Sequence, residues 1–237
     1  MTAQSLSMEH LALLATFDTP TVCNAIEVAQ GQRGFNGFTH STMHWSDAET
    51  FNMVGYARTA KISSLQPSKE DSAVVRERRR DYFRHMAEGP RPGVCVIEDM
   101  DGDSAIGAWW GEIHAQVHKS VCGLAGAVTN GLMRDLADLP SGFPILAGGL
   151  GPSHGFVHVR EIGVPVSIMG ATVNEGDLVH ADQHGMVVIP KEVEQDLPAA
   201  IARLISSESI VLDAVKQRSV SIDEFEELWA QFEKART

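Results

Sequence analysis

Residues 124–135, LAGAVTNGLMRD, decide most of what the sequence predicts about the fold. The first six of these residues form a short apolar run, which is typical of a strand buried in a sheet. Asn130-Gly131 predicts a turn at the end of that strand. Arg134-Asp135 follows the turn closely, so a guanidinium and a carboxylate are expected side by side at one edge of the sheet.

The segments on either side of this strand alternate between strand and helix patterns. Upstream, the expected elements are helices within residues 1–30, a strand at 53–63, a helix at 69–87, a strand at 94–98 and a helix at 107–121. Downstream, they are short strands at 144–147, 164–169, 178–181 and 186–189, followed by helices over residues 191–237. Thr19 before Pro20 is the expected N-cap of a second helix. Since no internal repeat or long linker is visible, the sequence predicts a single α/β domain.

The composition excludes several classes of protein. The 237 residues include 19 Lys and Arg against 31 Asp and Glu, a net charge of −12, whereas a general nucleic-acid binder needs a basic face. No apolar run approaches the roughly 18 residues of a membrane span, and residues 1–7 lack the basic start and apolar stretch of a signal peptide. Three scattered cysteines are expected to be reduced thiols. We therefore expect no nucleic-acid or membrane partner and a cytoplasmic location.

An arginine-rich run lies on the predicted helix at 69–87. Two interpretations are open for it, an anion-binding patch or a solvated helical face with ion pairs between neighbouring turns. The interleaved Glu77 and Asp81 favour the solvated face. The arginines concerned are Arg76, Arg78, Arg79, Arg80 and Arg84.

Several familiar motifs are incomplete. His114 and His118 are four residues apart, as zinc ligands on one helical face would be, and the spacing recurs at 154/158 and 180/184. However, no Glu follows the first histidine of any pair, and no cysteine has zinc-ligand spacing. The glycines at 148–151 lack the spacing and the Lys-Ser/Thr of a P-loop. No GxSxG motif supports Ser-His-Asp catalysis.

The last segment predicts an amphipathic helix. Ser221 and Glu224 form a capping-box pattern at its start. One apolar stripe follows, and it is expected to dock on the protein's own body or on a neighbouring subunit. The stripe consists of Ile222, Phe225, Leu228, Trp229 and Phe232.

Arg134 and Asp135 offer two complementary functions. The planar guanidinium suits a carboxylate or a 2-oxo acid, which it binds through paired hydrogen bonds. The carboxylate suits a hard divalent cation, with water completing the octahedron. Residues 111–114, GEIH, lie near a predicted helix start, where free N–H groups favour an anion, and Glu112 adds a second carboxylate. The alternative makes Arg134 and Asp135 a surface ion pair and Glu112 an ordinary first-turn helix charge.

Residues 127–135, AVTNGLMRD, resemble the VxDGxxRD motif of the RraA-like family. That family includes the class II 4-hydroxy-4-methyl-2-oxoglutarate/4-carboxy-4-hydroxy-2-oxoadipate aldolases and the regulator of ribonuclease E activity. Other stretches agree with it in order and without large gaps, from about residue 15 to 195. They are FDTPTVCNA at 17–25, GYARTA at 55–60 for GxAxT, GE at 111–112 for GE/GD, FPILA at 143–147 for xPVFA, and GDLVHADQHGMVVIP at 176–190 for GDxxxADxxGVVVxP.

The resemblance implies a swivelling β/β/α fold with helical N- and C-terminal segments. It implies one domain over residues 1–237, with the family core at about 15–195 and C-terminal helices at 191–237. It also implies a homo-oligomer, a trimer or hexamer, whose active site lies in a cleft between subunits.

The resemblance further implies roles for individual residues. Arg134 would bind the pyruvate moiety and act in catalysis together with Glu112. Asp135 would bind Mg²⁺ or Mn²⁺, and Glu112 would orient waters on that metal. A further glutamate is expected from a neighbouring subunit's C-terminal helix, with Glu208 as the candidate. The residues expected to contact the substrate are Gly111, Ile113, His114 and Arg134.

Two departures from the family pattern bear on this site. Residues 113–133 contain one residue more than the aldolase pattern places between the acid and Arg-Asp, and the helix end near 120–122 is where it would be absorbed. Asn130 stands where the family usually has Asp. A turn tolerates either residue, but the lost charge would change metal affinity or substrate choice.

The expected function is that of a divalent-metal-dependent lyase. It would cleave a C–C bond of a small 2-oxo acid through a pyruvate enolate, in the manner of 4-hydroxy-4-methyl-2-oxoglutarate aldolase, and would also decarboxylate oxaloacetate. The alternative is a non-catalytic RraA-like regulator that binds ribonuclease E or another protein. The presence of Glu112, Arg134 and Asp135 together favours the enzyme.

Overall fold

The computed structural model describes residues 6–236. Residues 1–5 and 237 lie outside that range. The prediction about a signal peptide concerns residues 1–7 and therefore falls mostly outside the described residues. The helices are α1 (Met8–Leu14), α2 (Thr19–Gln30), α3 (Ser72–Ala87), α4 (Glu112–Ser120), α5 (Leu197–Gln217) and α6 (Ile222–Arg236). The strands are β1 (His44–Trp45), β2 (Met53–Ser63), β3 (Gly93–Asp99), β4 (Ala108–Trp110), β5 (Leu124–Met133), β6 (Ile145–Leu150), β7 (His158–Ile162), β8 (Val166–Ile168), β9 (Ala171–Val173), β10 (Leu178–Asp182) and β11 (Gly185–Ile189).

Nine of the strands form one mixed sheet, in the order β1-β6-β5-β3-β2-β10-β11, with β4 beside β5 and β7 beside β2. Its centre is parallel, because β6, β5, β3 and β2 run in one direction. Helix α3 joins β2 to β3, and α4 precedes β5. Antiparallel strands extend it on both sides. The remaining strands, β8 and β9, form a separate hairpin. The predicted α/β class is therefore confirmed.

The central strands are buried on both faces, which explains their continuous apolar sequences. In β3, Cys95 and Ile97 face a core shared with α3 and α4, whereas Val94 and Val96 face a second core that includes the β8–β9 hairpin. A third core lies between the sheet and helices α1, α2 and α5. Successive side chains of a strand point to opposite faces of the sheet, so a central strand contributes to the hydrophobic cores on both faces.

The predicted helix at 107–121 is wrong in its first part. Ala108–Trp110 form strand β4, which pairs in parallel with Leu132 and Met133 of β5, and the helix begins only at Glu112. Trp110 is fully buried. Pairing with a distant strand and burial of the ring outweigh the helical pattern of the local sequence.

The predicted turn at Asn130-Gly131 is also wrong, since β5 continues through it to Met133. The Asn130 side chain hydrogen-bonds to the backbone of β3, the neighbouring strand. Its amide oxygen accepts from the Asp99 N–H at 2.7 Å, and its amide nitrogen donates to the Asp99 carbonyl at 2.9 Å. The pairing of β5 with β6 is irregular between Thr129 and Leu132. Strand β5 continues past this irregularity and ends at Met133, directly before Arg134.

The N-cap of α2 is Asp18 and not Thr19. The Asp18 carboxylate accepts the Thr21 N–H at 2.9 Å. Thr19 instead ties the start of the helix to β10, because its N–H donates to Asp182 and its hydroxyl contacts His180 at 2.9 Å. The histidine of the 180/184 pair on β10 is therefore a structural group.

The C-terminal helices pack against the body of the protein in part. Helix α5 lies on α2, and α6 lies on α5. Ser221 caps α6 as predicted, but only Phe232 of its apolar stripe is buried, while Ile222 and Trp229 are largely exposed. None of the helices within residues 6–236 is long and apolar enough to cross a lipid bilayer.

Candidate active site

The site is built where helix α4 begins. Gly111 is its N-cap in an extended conformation, and Glu112 is its first residue. The first N–H groups of a helix have no acceptor within the helix. The Glu112 N–H is used locally, since it donates to the Asp135 carboxylate at 3.2 Å. By their position, the amides of Ile113 and His114 are available to an anion.

Arg134 and Asp135 lie directly beside this helix start. The Arg134 N–H donates to the Trp110 carbonyl at 2.8 Å, which holds the end of β5 against the end of β4. Asp135 has a left-handed backbone with φ of 57°, a conformation that Asp tolerates better than most residues. The sharp turn brings the Asp135 carboxylate 3.7 Å from the Arg134 guanidinium, and both side chains are about one-third exposed.

Gly111 is required by this arrangement. A Cβ at that position would lie 2.5 Å from an Asp135 carboxylate oxygen and 3.1 Å from Arg134 Nε. The family resemblance implies that Gly111 contacts the substrate. The structure adds a packing reason, because a side chain here would displace the Asp135 carboxylate and crowd Arg134.

Two hollows meet at Arg134. The larger has a volume of about 470 Å³ and is lined by Gly111, Ile113, His114 and Arg134, among other residues. The smaller has a volume of about 340 Å³ and is lined by both Arg134 and Asp135. The guanidinium and the carboxylate therefore share an open hollow, and the guanidinium also faces a deeper one.

The two histidines of α4 are neutral, and His114 lines the larger cavity, whereas His118 is fully buried. Burial, followed by the nearby charge of Arg79, lowers the pKa of His114 to about 4, and burial lowers that of His118 to about 4. His118 donates from Nδ1 to the His114 carbonyl at 2.6 Å and accepts from the Tyr82 hydroxyl at 2.6 Å. His118 thus supports the first turn of α4 and does not form a zinc pair with His114.

The donor set fits a cation of the magnesium type better than zinc. Within the described part of the chain, no three His, Cys, Asp or Glu side chains form a metal-binding group. Two acids meet here, since the Asp135 carboxylate accepts the backbone N–H of Glu112. Mg²⁺ commonly keeps several waters and takes only one or two carboxylates from a protein, so the residues present fit it.

The structure brings together most of the residues that the sequence singled out. Gly111, Glu112, Ile113, His114, Arg134 and Asp135 all lie around the α4 start. Glu208 does not join them within one chain, since it lies on α5, which packs on α2 and α6. The sequence favours a solvated helical face over an anion-binding patch for Arg79, but this arginine also lines the larger cavity.

A comparison with known proteins identifies the family. The family model for RraA-like proteins, described as Aldolase/RraA, matches residues 19–188. The chain belongs to the RraA-like family. The matched span contains β1 to β10, α2 to α4 and every residue around the α4 start. The resemblance carried by residues 127–135 is confirmed.

Individual relatives of this RraA-like chain agree with the assignment. A Halalkalibacterium halodurans protein with the provisional name 4-hydroxy-4-methyl-2-oxoglutarate aldolase is 27% identical over 195 residues, 81% of this chain and 83% of its own. The crystal structure of Streptomyces coelicolor RraAS2, from the RNase ES inhibitor RraA protein family, has a TM-score of 0.65, with 23% identity and coverage of 91% and 99%. An uncharacterised protein from Pseudomonas syringae has a TM-score of 0.66, with 20% identity and coverage of 99% and 100%. The structures confirm the RraA fold.

Proposed function

We propose that this RraA-like protein is a divalent-metal-dependent lyase that cleaves a C–C bond of a 2-oxo acid through a pyruvate enolate. One observation carries the proposal. The Asp135 carboxylate accepts the Glu112 N–H and lies 3.7 Å from the Arg134 guanidinium, so an anion-binding group and a cation-binding group adjoin one hollow. The family and the aldolase-named relative support the same chemistry.

Arg134 and the helix amides bind the substrate in this proposal. Arg134 Nε is buried and has no hydrogen-bond partner within residues 6–236, and a buried unpaired donor favours an incoming acceptor. The guanidinium would bind the C1 carboxylate and the keto oxygen of the 2-oxo acid. The Ile113 and His114 amides would hold the other carboxylate oxygen at the positive end of α4.

Asp135 and Glu112 have different roles in this proposal, the first in holding a metal ion and the second in proton transfer. Asp135, with Glu112 beside it, would hold Mg²⁺ or Mn²⁺, which both suit oxygen ligands. When bound there, a divalent ion supplies Lewis-acid stabilisation of negative charge on an enolate oxygen. The exposed Glu112 carboxylate would exchange protons with substrate through a water.

The bond changes are the same for two kinds of substrate. In a retro-aldol reaction the C4 hydroxyl loses its proton, the C3–C4 bond breaks, and its electron pair passes to the pyruvate enolate. In oxaloacetate the corresponding bond breaks with release of CO₂. Protonation of C3 then gives pyruvate in both cases, so we expect oxaloacetate decarboxylation beside cleavage of 4-hydroxy-4-methyl-2-oxoglutarate.

We propose further that the site is completed in a homo-oligomer, a trimer or hexamer. Large apolar side chains stand exposed around the site, with Ile113 at 74%, Leu136 at 49% and Leu150 at 50% exposure. Exposed apolar groups that cluster beside a polar hollow are typical of protein interfaces. Glu208 remains the candidate for the carboxylate that a neighbouring subunit would contribute.

Pyruvate release tests the proposed reaction. The protein is incubated with oxaloacetate or 4-hydroxy-4-methyl-2-oxoglutarate, in Mg²⁺ and then with a chelator, and pyruvate is measured by a coupled assay. We expect release that depends on the metal. No release from either acid, together with nanomolar binding to ribonuclease E or another protein, would support a non-catalytic regulator instead.

A further inference from the structure

Helix α3 carries five arginines, and one of them differs from the rest. Arg78 pairs with Glu70, Arg80 with Glu77, and Arg84 with both Glu77 and Asp81. Arg76 donates to the Ser72 hydroxyl at 3.2 Å. These contacts are those of a solvated helical face, as the sequence predicted.

Arg79 makes no ion pair or hydrogen bond with any residue from 6 to 236, and it faces another way. Val75 and Arg79 are four residues apart, on one face of α3, and both line the 470 Å³ cavity that contains Arg134. The cavity wall thus contains two guanidiniums, those of Arg79 and Arg134, together with His114 at the α4 start.

The lining of this cavity contains basic residues but no acidic ones. Among the described residues that line it, there are two arginines and three histidines but no Asp or Glu. Because Asp135 lies 3.7 Å from Arg134, Arg79 is the arginine of this wall that has no carboxylate partner within residues 6–236, in a chain whose net charge is −12. Its volume falls within the range of small-molecule sites, about 300–1,000 Å³, and exceeds what the pyruvate moiety alone would fill.

We propose that Arg79 is a specificity-determining residue that binds a second carboxylate, at the far end of the 2-oxo acid held by Arg134. The proposal rests on the proposed function and deepens it, since it names the residue that recognises the distal carboxylate of 4-hydroxy-4-methyl-2-oxoglutarate and of oxaloacetate. Arg134 and the α4 amides take the reacting end. Arg79, across the cavity on α3, takes the other end through its planar fork of donors.

Binding of two matched acids tests this role. 2-Oxoglutarate and 2-oxovalerate have the same chain length and the same 2-oxo acid end, but only the first carries a distal carboxylate. Isothermal titration calorimetry in Mg²⁺ buffer gives their Kd values for the wild type, Arg79→Gln and Arg76→Gln. Arg76 is the matched control, because it lies one turn away, loses the same charge and leaves no carboxylate unpaired.

We expect the wild type to bind 2-oxoglutarate more tightly than 2-oxovalerate. Arg79→Gln should weaken 2-oxoglutarate about tenfold, the size of one charge-assisted hydrogen bond, and leave 2-oxovalerate unchanged. Arg79→Lys should recover part of the loss, and Arg76→Gln should change neither Kd. Equal Kd values for the two acids in the wild type, no binding of either acid, or an equal effect of Arg79→Gln on both, would overturn the proposal.

The outcome is separable from that of the lyase reaction. If the wild type prefers 2-oxoglutarate through Arg79 but releases no pyruvate, the carboxylate-binding role of Arg79 stands and the proposed lyase reaction is wrong. A protein that cleaves 4-hydroxy-4-methyl-2-oxoglutarate with an unchanged KM in Arg79→Gln retains the reaction and loses the subsite.

Discussion

Two arginine–carboxylate pairs in this molecule have opposite characters. Arg58 and Glu175 form a pair in which the arginine is buried, and the carboxylate also accepts from the Thr59 N–H at 2.7 Å and the Thr59 hydroxyl at 2.9 Å. His85 contacts both partners. Arg134 and Asp135 are 3.7 Å apart beside open hollows. Both oxygens of the Glu175 carboxylate in the first pair are hydrogen-bonded within the protein, whereas the second pair adjoins open hollows that a ligand can enter.

The fold also keeps the carboxylate of the first pair in its charged form. Burial acts to raise the pKa of Glu175, but hydrogen bonds from His85 and Thr59 and the charge of Arg58 outweigh it, and the pKa is lowered. The charged form is thus stabilised by the fold itself. The comparison teaches that the same two groups hold the fold together at one place and form a binding site at another, according to what else surrounds them.

The largest effect is expected from a substitution that breaks the Arg134–Asp135 pair, the open pair. Arg134→Gln should lower pyruvate release from oxaloacetate by about 10³-fold, comparable to the loss of a principal charge-stabilising group in other enzymes. The melting temperature should change little, because the side chain is about one-third exposed and lines a cavity. Steady-state kinetics and thermal unfolding measure the two effects. Full activity in this variant would remove Arg134 from the mechanism.

The next largest effect is expected from a substitution that breaks the Arg58–Glu175 pair, the buried pair. Arg58→Gln leaves the half-buried Glu175 carboxylate without its main partner, and we expect a loss of about 2–3 kcal/mol in the free energy of unfolding. Urea denaturation measures it. Turnover per folded molecule should be unchanged. If this variant instead lost activity at full stability, the division between a structural and a functional pair would be wrong.

A smaller effect tests how closely the open pair approaches α4. Gly111→Ala places a Cβ 2.5 Å from an Asp135 oxygen, so the carboxylate and Arg134 must move, and turnover should fall about tenfold. Gly37→Ala is the control, since its nearest neighbours lie at 3.6 Å. Unchanged kinetics in both variants would mean that the approach to Gly111 is unimportant for the reaction.

The smallest effect concerns the histidines beneath the open site. His114 and His118 have a pKa of about 4 in the folded protein, against about 6.5 in an unfolded chain. Between these values only the unfolded chain takes up protons, so stability must fall as the pH drops from about 6.5 towards 4. Urea titrations at several pH values measure the slope, and His118→Asn should make it shallower. An equal slope in wild type and variant would contradict the assignment.

Sequence reasoning found those parts of the fold that depend on local pattern. Strand β2 is predicted at residues 53–63, as observed, because Val54, Tyr56, Ala60 and Ile62 are apolar and most residues between them are small. Strand β4 and the continuation of β5 through Asn130 were missed, since they depend on pairing with residues far away in the chain. Such tertiary contacts override local preference.

The site divides in the same way. The residues of the α4 start and the β5 end are visible in the sequence because glycine, acid and arginine fall in a motif. Arg79 is one of five arginines with similar neighbours in the chain, and only the packing of α3 turns this one towards the cavity. No spacing rule distinguishes it from the others.

The most direct test of the central claim asks whether the site forms a pyruvate enolate, whatever its natural substrate. Pyruvate is incubated with the protein and Mg²⁺ in D₂O, and loss of the methyl signal is followed by proton NMR. The account predicts exchange of the methyl protons well above the buffer rate, and its loss with a chelator or in Arg134→Gln. Exchange at the buffer rate in the metal-loaded wild type would contradict it.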